Sequence, residues 1–125
     1  MRAVVTCIVL SLLAIACGCN DGAREHAAAM TDGGDADRGK QAIGHYGCSS
    51  CHTIPGVRGA DALVGPPLDR VGGRGYIGGV LQNNPDNMIH WIENPPGVDP
   101  MTAMPNMHVT EADARDIASY LYTLD

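Results

Sequence analysis

A chain of 125 residues has room for one domain, and eight Lys plus Arg against fourteen Asp plus Glu give it an acidic balance with no basic cluster to neutralise phosphates, which argues against nucleic acid as a partner. With no Phe, one Trp and four Tyr among sixteen Gly and eight Pro, it has few large apolar side chains to offset conformational entropy. The composition implies a fold with another body at its centre.

The N-terminus, "MRAVVTCIVLSLLAIACGCNDG", sets one positive charge at Arg2 before an apolar run from Ala3 to Ala16, followed by small residues and cysteines. This is the build of an export signal over residues 1–19, and the run is shorter than the ~20 residues a membrane span needs. Ala14 and Ala16 fit ordinary signal cleavage, whereas Cys17 and Cys19 stand where a bacterial lipoprotein signal carries its lipid-modified cysteine. A lipid anchor at Cys17 or Cys19 is the favoured reading, and simple cleavage of the signal with its cysteines is the alternative. Residues 20–33 are small and polar without hydrophobic period and read as a flexible tether, so the domain is expected over 34–125. Removing everything through Cys19 takes away only Arg2 among the charged residues, leaving seven Lys plus Arg against fourteen Asp plus Glu.

Three helices follow, with no repeat and no convincing strand. "DADRGKQAIGHYG" places Ala36, Gly39, Lys40, Ile43 and Tyr46 at helical spacing, with Asp35 as cap. "NPDNMIHWIENPP" has Asn84 as cap, Pro85 at the first helical position, Met88, Trp91 and Ile92 on one face, and a stop at Pro95 and Pro96. "TEADARDIASYLYTL" opens on Thr110 with Asp113 three residues on, and lines up Ala114, Ile117, Ala118, Leu121 and Leu124. The two long segments between them are dense in Gly and Pro, as segments that wrap a ligand are, with room for a short helix around Tyr76 to Leu81.

"HYGCSSCHTIPG" supplies the chemistry: Cys48 and Cys51 are three apart and His52 follows directly. A zinc site would need two further Cys or His ligands at matched spacing, and the remaining cysteines lie in the signal. A thioredoxin-like pair would sit between a strand and a helix, which the pattern does not provide. Cys-x-x-Cys-His is also the attachment signature of c-type haem, in which two thioethers and one imidazole fix the cofactor from a single turn. Such a cofactor would supply the missing apolar body.

From about Gly34 to Asp125 the chain resembles a class I, single-haem cytochrome c. Helix-borne Gly39 and Ile43 precede the Cys-x-x-Cys-His, "GPPL" (Gly65 to Leu68) matches Gly-Pro-x-Leu, "WIENP" resembles the helix before the methionine loop, and "DIASYLYTL" resembles the terminal helix. The resemblance implies an all-α fold of three main helices wrapped with Gly/Pro-rich loops around one haem, covalent through Cys48 and Cys51. It implies that the Pro66 carbonyl accepts the proton on the far nitrogen of His52. Trp91 would lie against haem, Tyr120 would pack on the first helix, and Gly39 would permit a close helix crossing. Arg74 and Tyr76 match the region that holds a haem propionate, the alternative being a loop arginine in water.

Iron would be bound by His52 and by a methionine of "DPMTAMPNMHV". Met104, before Pro105, falls where the family's Met-Pro ligand lies. Met101, Met107 and a bis-histidine arrangement through His108 are the alternatives. His26, His45 and His90 read as surface residues and Met88 as core. The implied function is single-electron transfer in an exported respiratory-type chain, with no catalysis of its own; a haem-based gas sensor or an enzyme with an open sixth iron position is the other reading. The expected setting is the bacterial periplasm or cell envelope. The expected state is a monomer whose redox partner, a terminal oxidase, reductase or dehydrogenase, offers a basic docking surface to this acidic chain.

Overall fold

The computed structural model describes residues 20–124, so the expected export signal with Cys17 and Cys19 lies outside the described residues. The chain is mainly helical. α1 occupies residues 20–30, α2 Ala36–His45, α3 Pro85–Glu93, α4 Pro95–Val98 and α5 Glu111–Tyr122, with a 3-10 turn at Cys48–Ser50 and a two-stranded hairpin of β1, Tyr76–Ile77, and β2, Leu81–Gln82.

The helix starts follow from side chains that satisfy orphan backbone donors. Asp35 accepts from the amides of Asp37 and Arg38, Asn84 from that of Asn87 with Pro85 opening α3, and Thr110 from that of Asp113, whose carboxylate accepts the Thr110 hydroxyl in return. α3 ends at Glu93, but Pro95 and Pro96 do not end helical structure altogether. Asn94 caps the next amides and the prolines open the single turn of α4, because a proline at a first helical position sacrifices no bond.

α2 crosses α5 at Gly39, where a Cβ would lie 1.9 Å from the Asp116 carbonyl oxygen. Only glycine permits that approach. Around the crossing Ile43, Ala114, Ile117 and Ala118 are buried. Buried Asp116 fastens the pair by accepting from the Asp35 amide and from the Arg38 guanidinium at 2.7–3.0 Å. α3 packs on α5 through a face that buries Met88, Ile89, Trp91 and Ile92. Tyr120 turns its hydroxyl to the Pro55 carbonyl at 2.6 Å and ties the loop after Cys51 to α5.

Two local expectations are corrected. Residues 20–33, read as a flexible tether, are helical over 20–30: the alanines of "AREHAAAM" favour helix more than their small size suggests. α1 is also docked. Ala27 is fully buried, Arg24 pairs with Asp37, and Arg115 donates to the Thr31 carbonyl at 3.2 Å. The short helix allowed at Tyr76 to Leu81 is instead a hairpin, turned by Gly78 and Gly79 at φ 57° and 76°.

Candidate haem-binding site

α2 runs out at His45, and Gly47, at φ 75°, turns the chain left-handed into the Cys48–Ser50 turn. The amides of Cys51 and His52 both return to the Cys48 carbonyl, at 3.2 and 3.1 Å, which compacts the two thiols and the imidazole into one turn. Both cysteines are free and half-buried. Burial pushes the Cys48 thiol above its ordinary range.

The next loop folds back over this turn. Gly65 donates to the Cys51 carbonyl at 2.7 Å and Leu68 to the Thr53 carbonyl at 2.8 Å, bracketing Pro66 from both sides. The Pro66 carbonyl then lies 2.7 Å from His52 Nδ1. A carbonyl only accepts, so Nδ1 carries the proton and Nε2 keeps its lone pair for a metal. Gly65 makes the contact possible: a Cβ there would lie 2.5 Å from the imidazole Cε1.

These residues open onto one cleft of about 470 Å³, within the ~300–1,000 Å³ of small-ligand sites. Its lining brings together every site residue expected from the sequence: Cys48, Cys51, His52 and Pro66 on one side, with Arg74, Tyr76, Trp91 and Met104 completing it. Ile43, Ile54, Ile117 and Leu121 give it apolar walls that are also core. Among the described residues that line it, Arg74 is the one that carries a permanent charge.

The methionines separate by position. Met101 is 89% exposed and outside the lining, whereas Met104 is half-buried, lines the cleft and packs on the core, with its amide held by the Thr102 hydroxyl at 3.2 Å. Met107 also lines the cleft but is 38% exposed. His108 is exposed and outside the lining, and His26, His45 and His90 lie on the surface. Met88 is buried in α3 and reaches the cleft wall.

The cleft fits the flat, largely apolar group that its donor set implies. A thiol pair and an imidazole with a free Nε2 share a cleft with a thioether, and glycines at 65 and 78 leave room for the His52 and Trp91 rings against the backbone. Arg74 Nη2 donates to the Pro67 and Asp69 carbonyls at 2.6 and 2.8 Å, so this guanidinium organises the loop that carries Pro66. Its Nε and Nη1 find no hydrogen-bond partner among the described residues, and they suit a carboxylate such as a propionate. Sequence reasoning missed Gly78, whose Cβ would meet the Trp91 ring at 2.5 Å, although Gly-Gly between two short apolar runs is a hairpin signal.

Fold and site together define a small, mainly helical domain whose Cys-x-x-Cys-His turn opens onto an apolar cleft. The chain belongs to the cytochrome c family, whose model matches residues 36–125. Among curated proteins it is similar to cytochrome c oxidase subunit 2 of Alkalihalophilus pseudofirmus, 33% identical over 92 residues, which cover 71% of this chain and 25% of that protein. It is also similar to the subunits of that name from Bacillus sp. strain PS3, 31% identical over 88 residues, and Bacillus subtilis strain 168, 28% identical over 89 residues. These alignments cover 67% and 70% of this chain, and the chain spans about a quarter of the length of each relative. No solved structure matches it. Family and relatives support haem-based electron transfer.

Proposed function

We propose that this chain is a one-electron carrier with one haem c, bound covalently through Cys48 and Cys51 and ligated by His52 and Met104. The observation that carries the reading is the convergence of these four side chains on one apolar cleft, with His52 Nδ1 already committed to Pro66. When bound, the haem supplies a one-electron couple between ferrous and ferric iron. His52 offers Nε2, and Pro66 fixes the tautomer and raises the basicity of the ring. Met104 supplies a soft thioether that favours the reduced state, while Trp91, Ile43 and Leu121 exclude water. Arg74 and Tyr76 hold a propionate at the cleft edge.

The chain works in an exported respiratory-type pathway, held at a membrane surface by a lipid on Cys17 or Cys19. Among the described residues no helix is long and apolar enough to cross a membrane. Its redox partner is a terminal oxidase, in keeping with its similarity to oxidase subunit 2, and docking is steered by basic groups of the partner toward this acidic chain. The test is spectroscopic: the haem-loaded protein is expected to show the weak red absorption band of methionine-ligated ferric haem, absent in Met104→Ala and kept in Met107→Ala. Rapid binding of carbon monoxide by the reduced wild type would replace this reading with an open-site sensor or enzyme.

A further inference from the structure

The loop that carries Pro66 is tied to the end of the last helix. Tyr122, buried at the end of α5, donates its hydroxyl to Asn83 Oδ1 at 2.7 Å. The Asn83 amide nitrogen donates to the carbonyls of Val71 and Arg74 at 2.9 and 2.7 Å. Carbonyls only accept, so the amide has one orientation here, nitrogen to the loop and oxygen to Tyr122. Arg74, whose carbonyl is thus pinned, reaches back with its guanidinium to the carbonyls of Pro67 and Asp69. Those two follow Pro66 by one and three residues, and the Pro66 carbonyl meets His52 Nδ1. Hydrogen bonds, joined by the Arg74 side chain and a short stretch of backbone, therefore link the last helix to the imidazole.

We propose that Tyr122 and Asn83 are positioning residues for His52, acting through Arg74 and the loop of residues 66–74 to set the strength of the bond from Nδ1 to Pro66. The inference rests on the reading of His52 as an iron ligand. A shorter, straighter bond makes the imidazole a better donor and favours ferric iron; a slack loop weakens the bond and favours ferrous iron. Loss of the Tyr122 hydroxyl is expected to shift the ferric/ferrous equilibrium toward ferrous by about two- to tenfold, a tenfold change being about 59 mV for one electron.

The experiment compares midpoint potentials and the proton resonance of His52 Nδ1 in full-length, haem-loaded wild type, Tyr122→Phe, Asn83→Asp and Ser119→Ala. Tyr122→Phe keeps the ring and removes the donor, while Asn83→Asp replaces the amide donor with an acceptor facing the same carbonyls. Ser119→Ala removes another buried hydroxyl from α5, one bonded to the Gly34 carbonyl at 3.0 Å and unconnected to the loop. Tyr122→Phe and Asn83→Asp are expected to raise the potential and speed exchange of the Nδ1 proton, whereas Ser119→Ala lowers stability alone. If Asn83→Asp does not fold, Tyr122→Phe decides. An unchanged potential and Nδ1 resonance in Tyr122→Phe would overturn the proposal, as would an equal shift in Ser119→Ala. A wild type without a histidine-ligated haem would overturn both this and the proposed function, whereas a histidine-ligated wild type with insensitive variants would overturn this alone.

Discussion

Substituting Gly39 tests whether the α2–α5 crossing positions the site. A Cβ at residue 39 would lie 1.9 Å from the Asp116 carbonyl oxygen, 2.4 Å from its carbon and 2.9 Å from the Ile117 nitrogen, all backbone atoms with no rotamer to yield. The helices must open by at least 1.1 Å to bring the shortest of these to 3.0 Å, below which Cβ contacts are essentially never found. A gap of ~0.5–1 Å already forfeits a quarter to a half of a dispersion contact, and this opening is shared by buried Ile43, Ala114, Ile117 and Ala118. Gly39→Ala is therefore expected to cost about 3 kcal/mol, the top of the usual overpacking range. Gly44 lies in the same helix with nothing within 4 Å of its Cβ position, and Gly44→Ala is expected to stabilise by about 0.5–1 kcal/mol. Guanidinium unfolding of the two haem-loaded variants, followed by far-ultraviolet circular dichroism, reads both signs. A Gly39→Ala protein within about 0.5 kcal/mol of wild type, or equal losses in both variants, would refute the backbone-contact argument.

Three further outcomes are expected. Gly78→Ala, at φ 57° and with its Cβ 2.5 Å from the Trp91 ring, should cost about 1–3 kcal/mol and change the emission of the chain's one tryptophan as the ring is displaced; unchanged emission would place Trp91 clear of the hairpin. The Arg38 amide, with the Arg38 charge and the Asp37 amide, holds the Asp35 carboxyl below its ordinary range, and the Tyr46 and Thr110 hydroxyls do the same for Asp113. With folded values depressed, their contribution is present above about pH 4 and lost as pH falls through the folded values, so Asp35→Asn and Asp113→Asn should flatten the acid limb of stability; an unaltered limb counts against it. Burial pushes the Tyr122 phenol up to about 12, so its contribution is complete below about pH 10 and lost as pH rises toward that value. Tyr122→Phe should remove that alkaline loss in a stability titration, and a loss of wild-type size would contradict it.

What the sequence made legible was local. Asp35, Asn84 and Thr110 announce their helices because a cap needs only three or four neighbouring residues, and Cys48, Cys51 and His52 fall in one turn for the same reason. Pro66 lies 14 residues from His52, and only the resemblance to a family linked the two. α1 was hidden by composition, since small residues suggest flexibility while alanine favours helix, and its docking depends on partners as distant as Arg115. The bond between Tyr122 and Asn83 spans 39 residues and joins a helix end to a hairpin end, so neither a 3.6-residue nor a 2-residue period marks it. Arg74 shows a further limit: its match to a propionate-binding region gave no sign that the same guanidinium ties down the loop beside Pro66.

The walls of the cleft are also the larger apolar side chains of much of the core, and this couples folding to the cofactor. Ile43, Ile54, Met88, Trp91, Ile117 and Leu121 belong to both, and the described core residues outside the lining are mostly small, among them Ala27, Ala36, Ala60, Ala114 and Ala118. With nothing bound, a cleft of about 470 Å³ leaves these walls facing water, a loss of apolar burial that weighs on the ~5–15 kcal/mol by which whole domains are stable. Collapse of the walls recovers part of this, but the domain has no Phe and a single Trp with which to refill the space. Cys48→Ala combined with Cys51→Ala, which removes both attachment points, is therefore expected to leave a chain with little helical dichroism and a broad, non-cooperative melt. Added haem that restores helicity without covalent bonds would show that filling the cleft matters more than the thioether links. A cooperative melt of the haem-free double variant would show that the polypeptide closes a core of its own, and the coupling argued here would be wrong.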